Sequence, residues 1–161
     1  MLEEPREKLD PRAVKAWLYS GLLWGAGFML IPVAYLVIAN FIWELPFIWA
    51  GWIGIAVVLA GTFIGAAVVP RLMVRYWRYE IREEEVDIQH GIIIIKRTII
   101  PMLRVQHVDT ERGPVMRHFG LATLRISTAA SEHHIPALSL EKAAELQGEI
   151  SKLARVSDED V

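Results

Sequence analysis

The fold is decided by AWLYSGLLWGAGFMLIPVAYLVIANFIW at Ala16–Trp43 and by LPFIWAGWIGIAVVLAGTFIGAAVVP at Leu45–Pro70, which only the charge of Glu44 separates. An α-helix rises about 1.5 Å per residue, so about 20 apolar residues cross a hydrocarbon core of about 30 Å. Each stretch is longer than that. We therefore expect two transmembrane helices at about 17–40 and 47–69, within a membrane region 16–70.

The remaining residues divide into a short leading segment, 1–15, and a water-soluble domain, 71–156. The first apolar stretch is much longer than the apolar region of about 7–15 residues in a signal peptide, so we do not expect it to be cleaved. The acidic tail 157–161 is expected to be disordered. One small domain is the most that about 80 residues outside the membrane can build.

Composition argues against several classes of function. The formal net charge is −2, and acidic residues gather at the chain ends and at Glu83–Glu85, so we do not expect nucleic acid as a partner. The chain has no cysteine, which excludes disulfides and thiolate metal sites. Neither apolar stretch contains an acidic or basic side chain, so transport by this chain alone is not expected.

Basic residues flank both apolar stretches on what must be the same side of the membrane. The connection Asn40–Pro46 has no lysine or arginine. Because these residues are retained in the cytoplasm, we expect an integral inner (cytoplasmic) membrane protein with both termini cytoplasmic. The basic residues before the first stretch are Arg6, Lys8, Arg12 and Lys15, and those predicted to contact the membrane surface after the second are Arg71, Arg75 and Arg78.

Small residues recur at helical spacing in both stretches. The pairs are Gly21 with Gly25 and Gly61 with Gly65. Residues four apart share a helix face, and glycine there lets two backbones approach closely. The pattern predicts helix packing, either within one hairpin or between copies of the chain.

The sequence after the membrane region changes to β-rich runs. Val86 and Ile88 alternate with Asp87 and Gln89, which predicts a strand with one buried face and Asp87 on the solvent side. A hairpin turn at residues 89–91 should lead into a returning strand. The run Ile92–Ile95 is expected to be buried on both faces or to lie against lipid or a partner. Further strands are predicted at Thr98–Ile100, Leu103–Val108, Ala122–Thr128 and His133–Ala137.

A C-terminal helix should follow these strands. Ser139 is its predicted cap, and Ala143, Leu146, Ile150 and Leu153 form an apolar stripe. The pattern predicts a small α+β domain, in which a bent antiparallel sheet or partly open barrel is closed by the helix.

Two segments carry a family resemblance: IPMLRVQHV at Ile100–Val108 and GPVMRHFGLATLRISTA at Gly113–Ala129. They resemble the bacterial pleckstrin-homology-like (bPH2) membrane proteins of the YdbS type, and the likeness extends over the whole chain. It implies a pleckstrin-homology fold of two near-orthogonal antiparallel sheets with a C-terminal helix. It also implies a larger relative with repeated domains as a partner, in an envelope-related or antimicrobial-resistance complex. Phe119 is expected to fill the core.

The resemblance does not imply a phosphoinositide site. Eukaryotic pleckstrin-homology domains bind these lipids through basic residues in the first hairpin. The stretch that we align with it reads Arg82-Glu83-Glu84-Glu85, whose carboxylates repel phosphate.

Candidate chemistry is sparse elsewhere. The histidines at 90, 107, 118, 133 and 134 lack the spacing of known metal-binding motifs, so we expect no metal, cofactor, catalytic residue or small-molecule substrate. The candidate contacts to anionic lipid or a partner are Arg104, Arg117, His118 and Arg125, with Arg112 beside them. The alternative is that these arginines are solvated or paired with Asp109 and Glu111.

The sequence favours a non-enzymatic scaffold at the cytoplasmic face of the membrane. It would contact membrane lipids and assemble with itself or with a larger relative, through exposed strand edges and Ile92–Ile95. Two alternatives stay open: a module that binds anionic lipid headgroups, and an accessory subunit of an exporter or membrane enzyme.

Overall fold

The computed structural model describes residues 4–41 and 47–159, with side chains through residue 156. Most of the predicted outer connection, including Trp43 and Glu44, lies outside the described residues. The chain divides into two compact units. One is Trp17–Arg71, and the other joins the residues before Trp17 to those after Arg71.

The first unit is the predicted helical hairpin. Helix α1 spans Ala13–Phe41; helix α2, Ile48–Phe63, continues through a wide π-helical turn, Ile64–Val68, into α3, Val69–Tyr76. Both helical segments are long and apolar enough to cross a membrane, and only 17% and 6% of their most apolar windows are buried. A core helix of a soluble protein would be mostly buried, so these surfaces suit lipid.

The second unit contains two antiparallel sheets. The strands of the first sheet lie in the order β1 (Glu7–Lys8), β2 (Arg78–Ile81), β3 (Glu85–His90) and β4 (Lys96–Pro101), and those of the second in the order β5 (Val105–Glu111), β6 (Leu121–Thr128) and β7 (Glu132–Ser139). No strand of one sheet pairs with a strand of the other in the described part of the chain, so they do not close into a barrel.

Two helices complete this unit. The short α4, Pro114–His118, precedes Gly120, whose φ of +66° returns the chain to a strand at a conformation that favours glycine. The long α5, Leu140–Glu159, contacts strands β5, β6 and β7. Its cap is as predicted, because the backbone N–H of Lys142 donates to Ser139 Oγ at 3.2 Å.

The core of this unit has the predicted periodicity. Ala122, Leu124 and Ile126 of β6 are fully buried on one face, and Ala143, Leu146 and Ile150 of α5 are buried as well. The predicted α+β architecture of antiparallel strands with a C-terminal helix is confirmed.

Strand β1 lies before the hairpin in the sequence but pairs with β2, which follows the hairpin. The register aligns Glu7 with Tyr79 and Lys8 with Arg78. Leu9 is buried just after β1, and the backbone N–H of Asp10 donates to the Ala137 carbonyl at 3.2 Å. Both ends of the hairpin therefore continue into the same folded unit, which requires them to lie on the same side of a bilayer.

Two predictions about the β3–β4 hairpin were wrong. Asp87 is fully buried, not on the solvent side, because Arg97 on β4 pairs with it. Ile92–Ile95 does not begin the returning strand, since β4 starts at Lys96, and its exposure excludes burial on both faces, which was one of our two alternatives. Gly91 turns the chain at φ +123°, and a side chain there would collide with the Ile94 carbonyl, so the four isoleucines form an exposed loop.

Three smaller differences concern the second sheet and α5. Met102–Arg104 forms a 3-10 turn, so β5 begins at Val105. Phe119 is half-buried and does not fill the core, because it follows the short α4 at the surface. Helix α5 continues through Glu159, beyond the point at which we predicted a disordered tail.

Candidate interaction surfaces

The described histidines do not belong to a group of side chains that could bind a metal ion. Within residues 4–41 and 47–159, no group of three or more His, Asp or Glu side chains could hold a metal ion. His107 Nε2 lies 3.1 Å from Asp109 Oδ1 at an exposed position, and the His118 ring meets Phe119 edge-on with 5.3 Å between centroids. These are surface contacts of ordinary kind.

The candidate arginines of the second sheet do not converge. Arg104 precedes β5 at the end where Val105 pairs with Thr128, whereas Arg117 and His118 lie in α4, next to the opposite end of β6. At about 3.3 Å per residue, the length of β6 separates these ends by roughly 20 Å or more. Any lipid or partner contact that they make is therefore at separate places.

Arg125 lies between those two ends and is engaged within the sheet. Its guanidinium is 2.7 Å from Glu111 and 3.8 Å from Glu132. This agrees with the alternative of local pairing, although the partners include Glu132 in place of Asp109. Its role as a lipid or partner contact stays a prediction.

The predicted membrane-surface arginines follow one another at the end of the helical segment. Arg71 and Arg75 are one turn apart in α3, where the Arg71 guanidinium donates to the Ala67 carbonyl. The Arg75 guanidinium lies 5.9 Å from the centre of the Tyr76 ring, and Arg78 begins β2. Their contact with a membrane surface stays a prediction.

The two glycine pairs have different surroundings. A Cβ at Gly21 would collide with Ala66, and one at Gly25 would collide with Thr62, so α1 approaches its neighbour closely at both glycines. Gly61 and Gly65 face open space. The first pair thus packs within the hairpin, and the second lies on a free face.

An ion-pair network covers one face of the first sheet and encloses the buried Asp87. The Arg97 guanidinium donates to both carboxylate oxygens of buried Asp87, at 2.5–3.1 Å, and this hydrogen bonding raises the pKa of Arg97. Arg82 lies 2.7 Å from Glu80 and 3.1 Å from Glu85. Sequence reasoning missed this network, for which the only signal was the charged residues at alternate positions of β2 and β3.

Strand β4 is an open edge of the first sheet. It pairs with β3 on one side, and no described strand pairs with its other side. A cleft of about 560 Å³ lies along that side, between β4 and the turn that joins β6 to β7. The cleft is lined by apolar Ile99 and Leu103 and by polar Arg104 and His133. Edge strands of this kind are templates for pairing with another chain.

An aromatic pair, Trp77 and His90, lies next to the tip of the β3–β4 hairpin, at the end of the sheet where β2 begins. The Trp77 and His90 rings stack with 4.8 Å between centroids, and neither Trp77 Nε1 nor His90 Nδ1 has a hydrogen-bond partner. Burial lowers the pKa of His90, and the positive charge of Lys96 lowers it further. Burial and Lys96 lower the pKa of His133 in the same way.

A comparison with known protein families identifies the family of this chain. The family model described as a bacterial PH domain matches residues 16–154. This chain belongs to the bacterial PH domain family. It is 43% identical to the UPF0699 transmembrane protein YdbS of Bacillus subtilis (strain 168), and the match covers 100% of both chains. No solved structure matches the chain.

A longer protein of the same organism is also similar. The chain is 26% identical to the UPF0699 transmembrane protein YdbT over 94% of its own length, but it spans only 30% of that protein. The seven described strands and α5 agree with the PH-like fold of the family.

The strand order of this bacterial PH domain corrects one alignment. Residues 82–84 connect β2 and β3, the second and third strands of the first sheet, whereas the connection between β1 and β2 contains the membrane hairpin. Our alignment of Arg82–Glu85 with the first hairpin of phosphoinositide-binding domains was therefore wrong.

Proposed function

We propose that this bacterial PH domain protein is a non-enzymatic interaction protein, anchored at the cytoplasmic face of the inner membrane, that assembles with itself or with a longer member of its family. The observation that carries the proposal is the open edge of β4 with its adjoining cleft. An envelope-related or antimicrobial-resistance complex is the setting that the family resemblance favours.

The β4 edge offers both affinity and specificity to an extended partner segment. Backbone N–H and C=O groups along the edge can pair with an added strand, while the cleft accepts its side chains. Ile99 and Leu103 supply apolar contacts, and Arg104 supplies a positive charge at one end. Lys96 and Pro101 occupy the ends of β4, where they limit pairing to the residues between them.

Membership of the family supports a partner with the same fold. YdbT contains a region similar to this chain within a longer protein, and YdbS is similar over its whole length. Because an open edge strand is a template for pairing, two domains that each leave such an edge open can associate edge to edge.

The cytoplasmic side is supported by the distribution of charge. Lys8, Arg12 and Lys15 precede or begin α1, and Arg71 and Arg75 lie in α3. Since both ends of the hairpin enter one folded unit, the positive-inside rule acts on them together.

Site-specific cross-linking in native membranes tests the proposal. The chain has no cysteine, so Ile99→Cys places a unique thiol at the β4 edge, and Ala144→Cys on the exposed face of α5 is the matched control. A thiol cross-linker should give a dimer or a hetero-adduct from Ile99→Cys alone. Recovery of monomer from both variants would contradict the proposal.

The two alternatives have less support. A joint headgroup site would need Arg104 and Arg117 together, but they lie at opposite ends of the second sheet. Nothing in the described residues points to a particular exporter or membrane enzyme as a partner.

A further inference from the structure

The loop Ile92–Ile95 exposes four consecutive isoleucines at the tip of the β3–β4 hairpin. The exposed fractions are 39% for Ile92, 94% for Ile93, 82% for Ile94 and 64% for Ile95. Isoleucine is among the residues most often fully buried in proteins. A run of four exposed isoleucines therefore indicates contact with an apolar environment outside the domain.

The sheet register places this loop at the end of the sheet where the chain arrives from the membrane. Arg78 at the start of β2 pairs with Gln89 near the end of β3, and Gln89 pairs with Arg97 near the start of β4. Trp77, one residue after α3 ends, stacks on His90. The isoleucines begin two residues after His90, at the same end of the sheet as Trp77.

Strand β1 reaches the same end of the sheet. Lys8, its last residue, pairs with Arg78, and α1 begins at Ala13 shortly afterwards. The two strands connected to the hairpin and the tip of the isoleucine loop thus share one end of the first sheet.

Charge along the sheet changes in the direction expected for a domain that faces anionic lipid. Exposed Lys8 and Lys96 lie at the end with the loop, next to Arg78. The acidic residues Glu83–Glu85 lie at the opposite end, in and beside the turn between β2 and β3. Cationic side chains near an anionic leaflet are stabilised by its surface potential, and carboxylates are repelled.

The reach of the loop fits the membrane interface. Only the six residues 71–76 separate the apolar stretch from Trp77, so the first sheet begins close to the membrane region in the sequence. Four residues extend at most about 14 Å, so a loop that turns back projects about 7 Å. This projection is similar to the depth of about 5–10 Å to which interfacial amphipathic helices bury their apolar faces.

A protein partner fits this surface less well. A stable protein interface buries about 800 Å² on each side, which four side chains at a loop tip do not provide. The loop also lacks any acidic or polar side chain that would form the rim of such an interface.

We infer that Ile92–Ile95 inserts into the interface of the bilayer that the hairpin crosses, as a second membrane attachment that holds the first sheet with its basic end toward the lipid. The inference rests on the transmembrane hairpin and not on a protein partner. Failure of the scaffold proposal would therefore leave it standing.

Depth-dependent fluorescence on the full-length protein tests the inference. Ile93→Cys and Ile94→Cys each introduce one thiol at a side chain that the core does not use, and Glu83→Cys is the control at the opposite end of the sheet. Each variant is labelled with an environment-sensitive fluorophore and reconstituted into vesicles of phosphatidylethanolamine and phosphatidylglycerol. Quenching is then measured with doxyl-labelled lipid and, separately, with aqueous iodide.

We expect labels at Ile93 and Ile94 to show blue-shifted emission, quenching by doxyl lipid and loss of quenching by iodide, while the label at Glu83 shows the reverse. Equal iodide quenching at the loop and at Glu83 would overturn the inference. Shielding from iodide without quenching by doxyl lipid would also overturn it, because it would mean that protein covers the loop.

Discussion

Replacing Leu9 by alanine tests whether the segment before the hairpin belongs to the domain after it. Leu9 is 2% exposed, beside the short strand β1. Truncation of a buried leucine to alanine costs about 2–5 kcal/mol, and the site can partly collapse at a sheet edge, so we expect a loss of about 2–3 kcal/mol in the free energy of unfolding of the domain. At about 1.4 kcal/mol per factor of ten, this is roughly a 30- to 150-fold change in the unfolding equilibrium.

Hydrogen exchange of the full-length protein in nanodiscs measures this effect. Amides of β3 and β6 that exchange only through unfolding of the domain should exchange faster by the same factor in Leu9→Ala. The matched control is Leu103→Ala, whose side chain is 55% exposed and whose effect should stay within about 0.5 kcal/mol. If the amides of β3 and β6 exchanged in Leu9→Ala at the same rates as in the wild-type protein, the assignment of the leading segment to the domain would be refuted.

Three further predictions concern other contacts. Asp87→Ala should lower the melting temperature of the domain strongly, because Arg97 loses its buried partner. The double variant Asp87→Leu with Arg97→Met should recover most of that loss. A double variant that melts at as low a temperature as Asp87→Ala would contradict this prediction. Gly25→Leu should destabilise the hairpin in thermal unfolding followed by circular dichroism, since Thr62 fills the space, while Gly61→Leu should be neutral within one chain. Burial, then the charges of Glu7 and Glu145, raise the pKa of Tyr79 from 10.0 to about 12. As the pH rises, the Tyr79 hydroxyl is therefore deprotonated in the unfolded chain before it is deprotonated in the folded domain. The free energy of unfolding should keep its full value below pH 10 and decrease between pH 10 and about 12. Tyr79→Phe should remove the part of this decrease that Tyr79 causes.

Local periodicity was enough to predict much of the fold. The two apolar stretches predicted the helices, and alternation at Ala122, Leu124 and Ile126 predicted the buried face of β6. Ser139 predicted the start of α5 because a hydroxyl at this position satisfies a free backbone N–H. In each case the physical cause lies within a few residues of the pattern.

Long-range pairing could not be predicted in this way. The two residues of β1 are polar and carry no periodic signal, and they form a strand only because β2 pairs with them across the intervening hairpin. Asp87 is buried because Arg97 reaches it from the next strand, which the alternation in β3 cannot show. At Ile92–Ile95, the turn at Gly91 outweighed the β propensity of isoleucine.

The candidate surfaces show the same limit. The sequence identified Arg104 and Arg117 as basic residues but could not show that they lie at opposite ends of one sheet. The run of isoleucines was visible in the sequence, which left open whether it is buried on both faces or lies against lipid or a partner. Only the strand register shows that it lies at the end of the sheet nearest to Trp77 and Arg78.

Thiol accessibility in intact cells tests the central claim most directly, namely that the hairpin crosses the membrane and both of its ends enter one cytoplasmic domain. Single cysteines at Glu7 and Glu84 report on the two ends, and one at exposed Phe47 reports on the connection between the helices. With a membrane-impermeant maleimide, the account predicts labelling of Phe47→Cys in intact cells and of Glu7→Cys and Glu84→Cys only after permeabilisation. Labelling of either Glu7→Cys or Glu84→Cys in intact cells would contradict it.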